Sequence, residues 1–201
     1  MLRAVDISYY QGDMDWDLLS KAGIQVVIMR ASDGYVEDPK YRRNVQTLSA
    51  AEAPPFLKMA YHNFRVSLDI ETQLAFFLAR IENVIWDYPP GLDLEPGQKH
   101  ASLVDRLSQA LEYLERGCGG AVLYSNVSKL VSLALPPSFT RWKLWLAHWG
   151  VMVPSVPLPW FPGQLFAHQF AVVPGKLYGT RPTSPGRPYP KIDLDVVYNA
   201  N

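Results

Sequence analysis

Two carboxylates stand two residues apart in Asp93-Leu94-Glu95, a short apolar run cut off by Pro96-Gly97. In a strand, residues i and i+2 face the same side, which sets these acids ~6.6 Å apart along the backbone and pointing one way. Like charges so placed push one pKa upward, as a general acid working near neutrality requires. Such a pair suits glycosidic-bond hydrolysis, where one acid protonates the leaving oxygen. A two-acid metal site is the competing reading. It finds no support in His62, His100, His148 and His168, which lack ligand spacing, and no HExxH occurs. No metal and no cofactor are therefore expected. The chain also has no G-x-S-x-G elbow, no phosphate loop and no G-x-G-x-x-G. Gly117-Cys118-Gly119-Gly120 reads as a helix stop, and Cys118, the single cysteine, as inert packing that can form no internal disulfide.

The elements that must position the acids alternate regularly. Apolar, β-rich runs fall at residues 2–8, 25–31, 57–62, 92–95 and 121–124, and each is followed by a helical pattern. Asp13 or Asp15 can cap the first helix, which Gly23 stops. Asp38-Pro39 reads as an N-cap with proline at the first helical position, opening a helix to about Ala53. The third helix runs over 69–82. Ser102 and Asp105 make a capping-box-like start for a fourth, ending at Gly117, and a short fifth lies near 126–133. After that the rhythm changes: 143–148, 164–170 and 191–197 read as strands without helices between them, and 181–190 as a proline-rich loop. Five strand–helix units followed by three strands predict an α/β fold, a compact and irregular β/α barrel with a largely parallel sheet. A doubly wound open sheet is the alternative. The 201 residues fit a single domain over 1–201, with no separate second module expected.

Barrel enzymes build their sites at the C-terminal ends of the strands. Asp6, Asp93, Glu95, Asp193 and Asp195 all fall at or near such ends. Any one of them alone reads as a helix cap or surface ion pair. As a set, converging from both ends of the chain, they read as a site, because a charge inside an apolar strand costs several kcal/mol unless paired or solvated (about 2–7 for even a neutral polar group). Tyr10, Tyr35, Tyr61, Tyr124 and Trp149 stand near strand ends, where they can stack on sugar faces or simply pack. Nineteen basic residues balance nineteen acidic ones, so the basic excess of a nucleic-acid binder is absent. No apolar run is long enough for a transmembrane helix, and membrane insertion is not expected. Met1 to Asp6 meets an acid too early for a signal peptide.

Asp6-Ile7-Ser8-Tyr9-Tyr10-Gln11-Gly12 with Asp15-Trp16 resembles the opening of glycoside hydrolase family 25 lysozymes, the Chalaropsis-type N-acetylmuramidases found among bacteriophage endolysins and bacterial autolysins. The resemblance continues through Val27-Ile28-Met29-Arg30-Ala31-Ser32, Asp38 with Tyr41 and Asn44, Ala60-Tyr61-His62 and Leu92-Asp93-Leu94-Glu95. Tyr124-Ser125, Leu144-Trp145-Leu146-Ala147, His168-Gln169-Phe170 and Ile192-Asp193-Leu194 extend it over essentially the whole chain. Met59 stands where that family usually has glycine, and His168 where it commonly has tryptophan.

The resemblance implies a muramidase that cleaves the β-1,4 bond between N-acetylmuramic acid and N-acetylglucosamine. Glu95 would be the general acid and Asp93 the neighbour that orients the substrate's acetamide or tunes the acid; Asp6 and Asp193 would be further cleft acids. Tyr10, Arg30, Tyr61, His62, Tyr124, Trp145 and Gln169 are the expected substrate contacts. Asp195 falls where the family often carries asparagine, so hydrogen bonding rather than charge is expected of it. The expected partner is bacterial peptidoglycan, met by a monomer. The chain would act on the wall after release from the cytoplasm, or as a fragment of a secreted lysin. A chitinase would need acids where Tyr88 and Gly91 stand. A non-catalytic glycan-binding or virion structural barrel is the alternative of another class.

Overall fold

Apolar strand runs and capped helices produce the expected alternation. The computed structural model describes residues 1–50, 54–182, 184 and 187–198. Its strands are β1 (Leu2–Ile7), β2 (Val26–Asp33), β3 (Val36–Glu37), β4 (Leu57–Asn63), β5 (Gly91–Asp93), β6 (Val122–Asn126), β7 (Lys143–Ala147), β8 (Leu165–Pro174) and β9 (Lys191–Val197). They lie in the order β1-β9-β8-β7-β6-β5-β4-β2-β3, and β1 also pairs with β2. Eight strands thus close into a barrel, which excludes the open sheet. The two-residue β3, not foreseen from the sequence, hangs outside as a hairpin on β2. Within the barrel every neighbouring pair is parallel except those of β9, which runs antiparallel to both β1 and β8.

The helices are α1 (Trp16–Lys21), α2 (Tyr41–Leu48), α3 (Ile70–Ile81), α4 (Leu103–Cys118) and α5 (Val127–Leu133). Side chains of Asp15, Asp69 and Asn126 accept from the backbone N–H three residues on and start α1, α3 and α5. Two expected caps are different. Asp38 does not cap α2, which begins at Tyr41 after an unassisted Lys40 and ends at Leu48; Ala53 lies outside the described residues. The Asp38 carboxylate is taken instead by Arg30 Nε, Tyr9 N–H and Lys40 N–H, each at 2.9 Å. No capping box forms at Ser102, whose hydroxyl meets His100 Nδ1 at 3.0 Å, and α4 runs past Gly117 to stop at Gly119, where φ is +74°. The single cysteine, Cys118, is exposed there rather than packed.

Both faces of the strands are covered. Outward residues pack under α3 and α4, through Leu74, Phe77, Leu107, Leu111 and Leu114. Inward residues such as Val26, Ile28, Met59, Val122 and Phe166 plug the lower barrel, with Tyr61 and Trp145 above. The aromatic top of that plug is the floor of the site. Among the described residues no helix is long and apolar enough to cross a membrane.

Candidate active site

The antiparallel run of β9 explains how acids from both chain ends meet. Parallel strands bring their last residues to the barrel mouth, whereas β9 brings its first. Asp193 is consequently the direct register partner of Asp6 at the end of β1. Asp93 closes β5. Three register shifts sit beside further site residues, one after Arg30 on β2, one beside Trp145 in the β7–β8 pairing and one after Gln169 on β8, as bulges that re-aim side chains do.

These residues surround a cavity of about 250 Å³ lined by Asp6, Asp93, Glu95 and Asp193 together with Tyr10, Arg30, Tyr61, Tyr124, Trp145 and Gln169. Ser8, Gln11 and Trp149 also line it. Ser8 and Gln11 had no role assigned from the sequence, although Ser-x-x-Gln is a capping-box signal; Gln11 Oε1 accepts from Ser8 N–H at 2.8 Å and ties the first loop down. A larger hollow of about 390 Å³ lies at the opposite, N-terminal end of the strands, against Trp86, Tyr88 and Pro90. Its one carboxylate, Asp87, accepts from Lys58 N–H, so the acids mark the smaller cavity as the candidate site.

Two expectations need correction. Glu95 is not on the strand: pairing stops at Asp93, Leu94 is buried, and Glu95 is exposed at the cavity mouth. The same-face rule therefore does not place the pair; shared lining of one cavity does. His62 does not line the cavity. It alternates with Tyr61 on β4 and so points outward, where Ser32 Oγ donates to Nδ1 (2.9 Å) and Nε2 donates to Gln73 Oε1 (3.1 Å). Burial pushes its pKa down to about 4, so it is a neutral connector between β4 and α3. Tyr35 lies elsewhere too, its hydroxyl accepting from Asp69 N–H.

The cavity is acidic and holds protons. Burial, then the Asp195 charge, raises Asp6 well above the carboxylate range. Burial, then the charges of Glu95 and Asp6, does the same to Asp93, whose Oδ1 is buried without a hydrogen-bond partner among the described residues. Asp193 is pushed up to about 8 by burial, then by Asp6 and Glu95. Arg30 is the cation in the lining, and its Nε is held by Asp38 while its guanidinium lies 5.2 and 5.4 Å from the ring centres of Tyr9 and Tyr10. Trp145 stacks obliquely on Tyr124 at 4.4 Å and meets Tyr61 edge-on at 5.7 Å, making an aromatic floor. Among the described residues no group of three or more His, Cys, Asp or Glu is arranged to hold a metal ion.

A carboxylate cluster over aromatic rings, set at the C-terminal mouth of a β/α barrel, has the build of a glycoside hydrolase. The chain belongs to Glycosyl hydrolases family 25, whose pattern matches residues 5–172. That stretch includes Asp6, Asp93 and Glu95; Asp193 lies beyond it and joins the site through its pairing with Asp6. Among curated proteins, the chain is similar to the uncharacterized protein YegX of Escherichia coli K12, 28% identical over 156 residues, 74% of this chain and 56% of that protein. It thus spans little more than half the length of that relative. Among solved structures it resembles the CTP1L endolysin at 25% identity and a TM-score of 0.75, covering 99% of this chain and 67% of the other. The muramidase from Trichobolus zukalii shares the fold at 21% identity and a TM-score of 0.79, over 100% and 95% of the two chains.

Proposed function

We propose that this chain is a peptidoglycan hydrolase of lysozyme type, cleaving the β-1,4 bond between N-acetylmuramic acid and N-acetylglucosamine. Family membership and the fold shared with an endolysin and a muramidase support this reading. The observation that carries it is the gathering of Asp6, Asp93, Glu95 and Asp193 on one aromatic-floored cavity.

Glu95, the solvent-reachable acid at the mouth, is the general acid that protonates the leaving glycosidic oxygen. Burial, then the charges of Glu95 and Asp6, lifts Asp93 well above the carboxylate range, so the cavity beside Glu95 is one that holds protons. Asp93 lies deeper, with an acceptor oxygen that no group among the described residues uses. It accepts the N–H of the substrate's 2-acetamido group and aims the acetamide oxygen at the anomeric carbon. That oxygen attacks as the glycosidic bond breaks, giving a cyclic oxazolinium intermediate. Water then opens the intermediate with Glu95 acting as base, and configuration is retained. Tyr61, Tyr124 and Trp145 form the platform under the sugars, and Tyr10 and Trp149 the rim. Gln169 and Arg30 supply polar contacts.

A peptidoglycan zymogram tests the activity, with Glu95→Gln as its partner experiment. The variant is expected to fold normally and lose at least ~10²-fold in turnover, the scale of general acid catalysis. Near-normal clearing by folded E95Q removes Glu95 from the mechanism. The anomer first released, read by NMR, tests the route, and an inverted product excludes it.

A further inference from the structure

Asp195 is the acid that the chemistry above leaves over. It lies on β9 two residues past Asp193, is 1% exposed, and is not among the residues lining the cavity. Its Oδ1 accepts from Trp145 Nε1 at 2.7 Å, and its Oδ2 is buried with no hydrogen-bond partner among the described residues. The carboxyl of Asp6 reaches it directly from β1. Asp6 Oδ2 accepts from Gln169 Nε2 at 2.7 Å. The amide of Gln169 is fixed in that sense, because its Oε1 takes both Tyr124 O–H (2.9 Å) and Trp149 Nε1–H (3.0 Å). The indole, the amide and the phenol nearest the two acids are thus committed elsewhere than to Asp195 Oδ2. The other ionisable groups facing the two are Asp193 on β9, Asp93 and Glu95 at the end of β5, Tyr61 on β4, Tyr124 on β6 and Arg30 on β2. Arg30, the cation among them, is engaged by Asp38.

We propose that Asp6 and Asp195 share a single proton, held between Asp195 Oδ2 and the Asp6 carboxyl, and that Asp195 is a positioning residue fixing Asp6 in the cleft. Two carboxylate oxygens in contact are both acceptors, and only a proton turns their contact into a hydrogen bond. Two bare charges in this buried seam would instead carry a large desolvation cost with no cation to offset it. Burial lifts both groups, Asp195 to about 7. The contact between them therefore keeps a proton well above the ordinary aspartate range. Once that proton leaves, the carboxylates repel, and Asp6 loses its fixed position. An asparagine at 195 would donate an amide N–H to Asp6 at every pH while its oxygen kept the Trp145 bond.

The inference rests on the reading of Asp6 as a cleft residue of an active glycosidase, and two measurements separate the claims. Carbon-13 carboxyl NMR on aspartate-labelled wild type is expected to show Asp6 and Asp195 titrating together, with neither released in the ordinary aspartate range. The pH profile of peptidoglycan hydrolysis by Asp195→Asn is expected to keep its acidic limb and to move its alkaline limb up by about one pH unit or more. An Asp195 resonance titrating alone near the ordinary aspartate value overturns the proposal, as does an unmoved alkaline limb in folded D195N. The titration needs neither a variant nor activity, so a failed variant leaves the shared proton decided. Absence of hydrolysis at every pH would sink the enzymatic reading instead.

Discussion

Replacing Asp193 by asparagine should make the protein more stable and less active, and the stability gain should depend on pH. Asp193 is raised to about 8 by burial and by the charges of Asp6 and Glu95. In the unfolded chain the same carboxyl ionises near ~4. Between those values the unfolded chain gives up a proton that the folded chain keeps, so stability is greatest below about pH 4 and falls as pH rises toward 8. At pH 7 the separation corresponds to a ceiling of roughly 4 kcal/mol. Asp193 touches the open cavity, and solvent screening there reduces the expected figure to about 2 kcal/mol. For a chain of 201 residues that is a rise in Tm of roughly 4–8 °C. The isosteric amide removes the ionisation and nothing else of size. Thermal melts of wild type and D193N should therefore differ by this amount at pH 7–8 and converge near pH 4. An equal difference at both ends, or a lower Tm for D193N at pH 8, would refute the claim that buried charge is the liability. Hydrolysis should fall in the same variant, and the acidic limb of its pH–rate profile should move, a local case of stability given up for function.

The ion pair beneath Tyr9 and Tyr10 should be costly to break: Asp38→Asn leaves the buried Arg30 charge uncompensated and should cost about 3–5 kcal/mol, read as a loss of denaturant midpoint. Neutralising both partners together should cost less than that single change. Chelation should leave hydrolysis unchanged, since the proposed chemistry runs on carboxylates alone; activity lost in EDTA and restored by a divalent ion would revive a metal site.

The succession of strands and helices along the chain, and the placing of Asp6, Asp93 and Asp193 near strand ends, were legible because they depend on short-range signals: apolar runs of strand length, side-chain caps, and acids at strand ends. What failed depended on partners distant in sequence. Asp38 has the local chemistry of a cap, but a buried Arg30 eight residues earlier binds it more strongly than a helix terminus can. His62 looked equivalent to Tyr61 because a barrel strand is covered on both faces, so hydrophobicity does not tell inside from outside. The pairing of Asp93 with Glu95 was reached through a strand rule that does not apply, since β5 ends two residues earlier. The hairpin β3 is two residues long, too short for any periodicity.

The seam between β1 and β9 gives these observations one physical setting. β9 is the last strand of the barrel in chain order and pairs with β1 to close it, and it carries Asp193 and Asp195 to Asp6 as it does so. Closure and assembly of the cleft are thus one event. It juxtaposes three carboxyls across a single strand pair, with Gln169 and Trp145 as the uncharged donors directly bonded to them. Three anions there would oppose closure by repulsion and by desolvation. The proton on Asp193 and the one proposed to be shared by Asp6 and Asp195 would remove much of that opposition. The raised pKa values are therefore a condition of the fold before they are a tool of the chemistry. The hydrolysis proposed for Glu95 and Asp93 would then take place in a cleft whose far wall is held shut by protons.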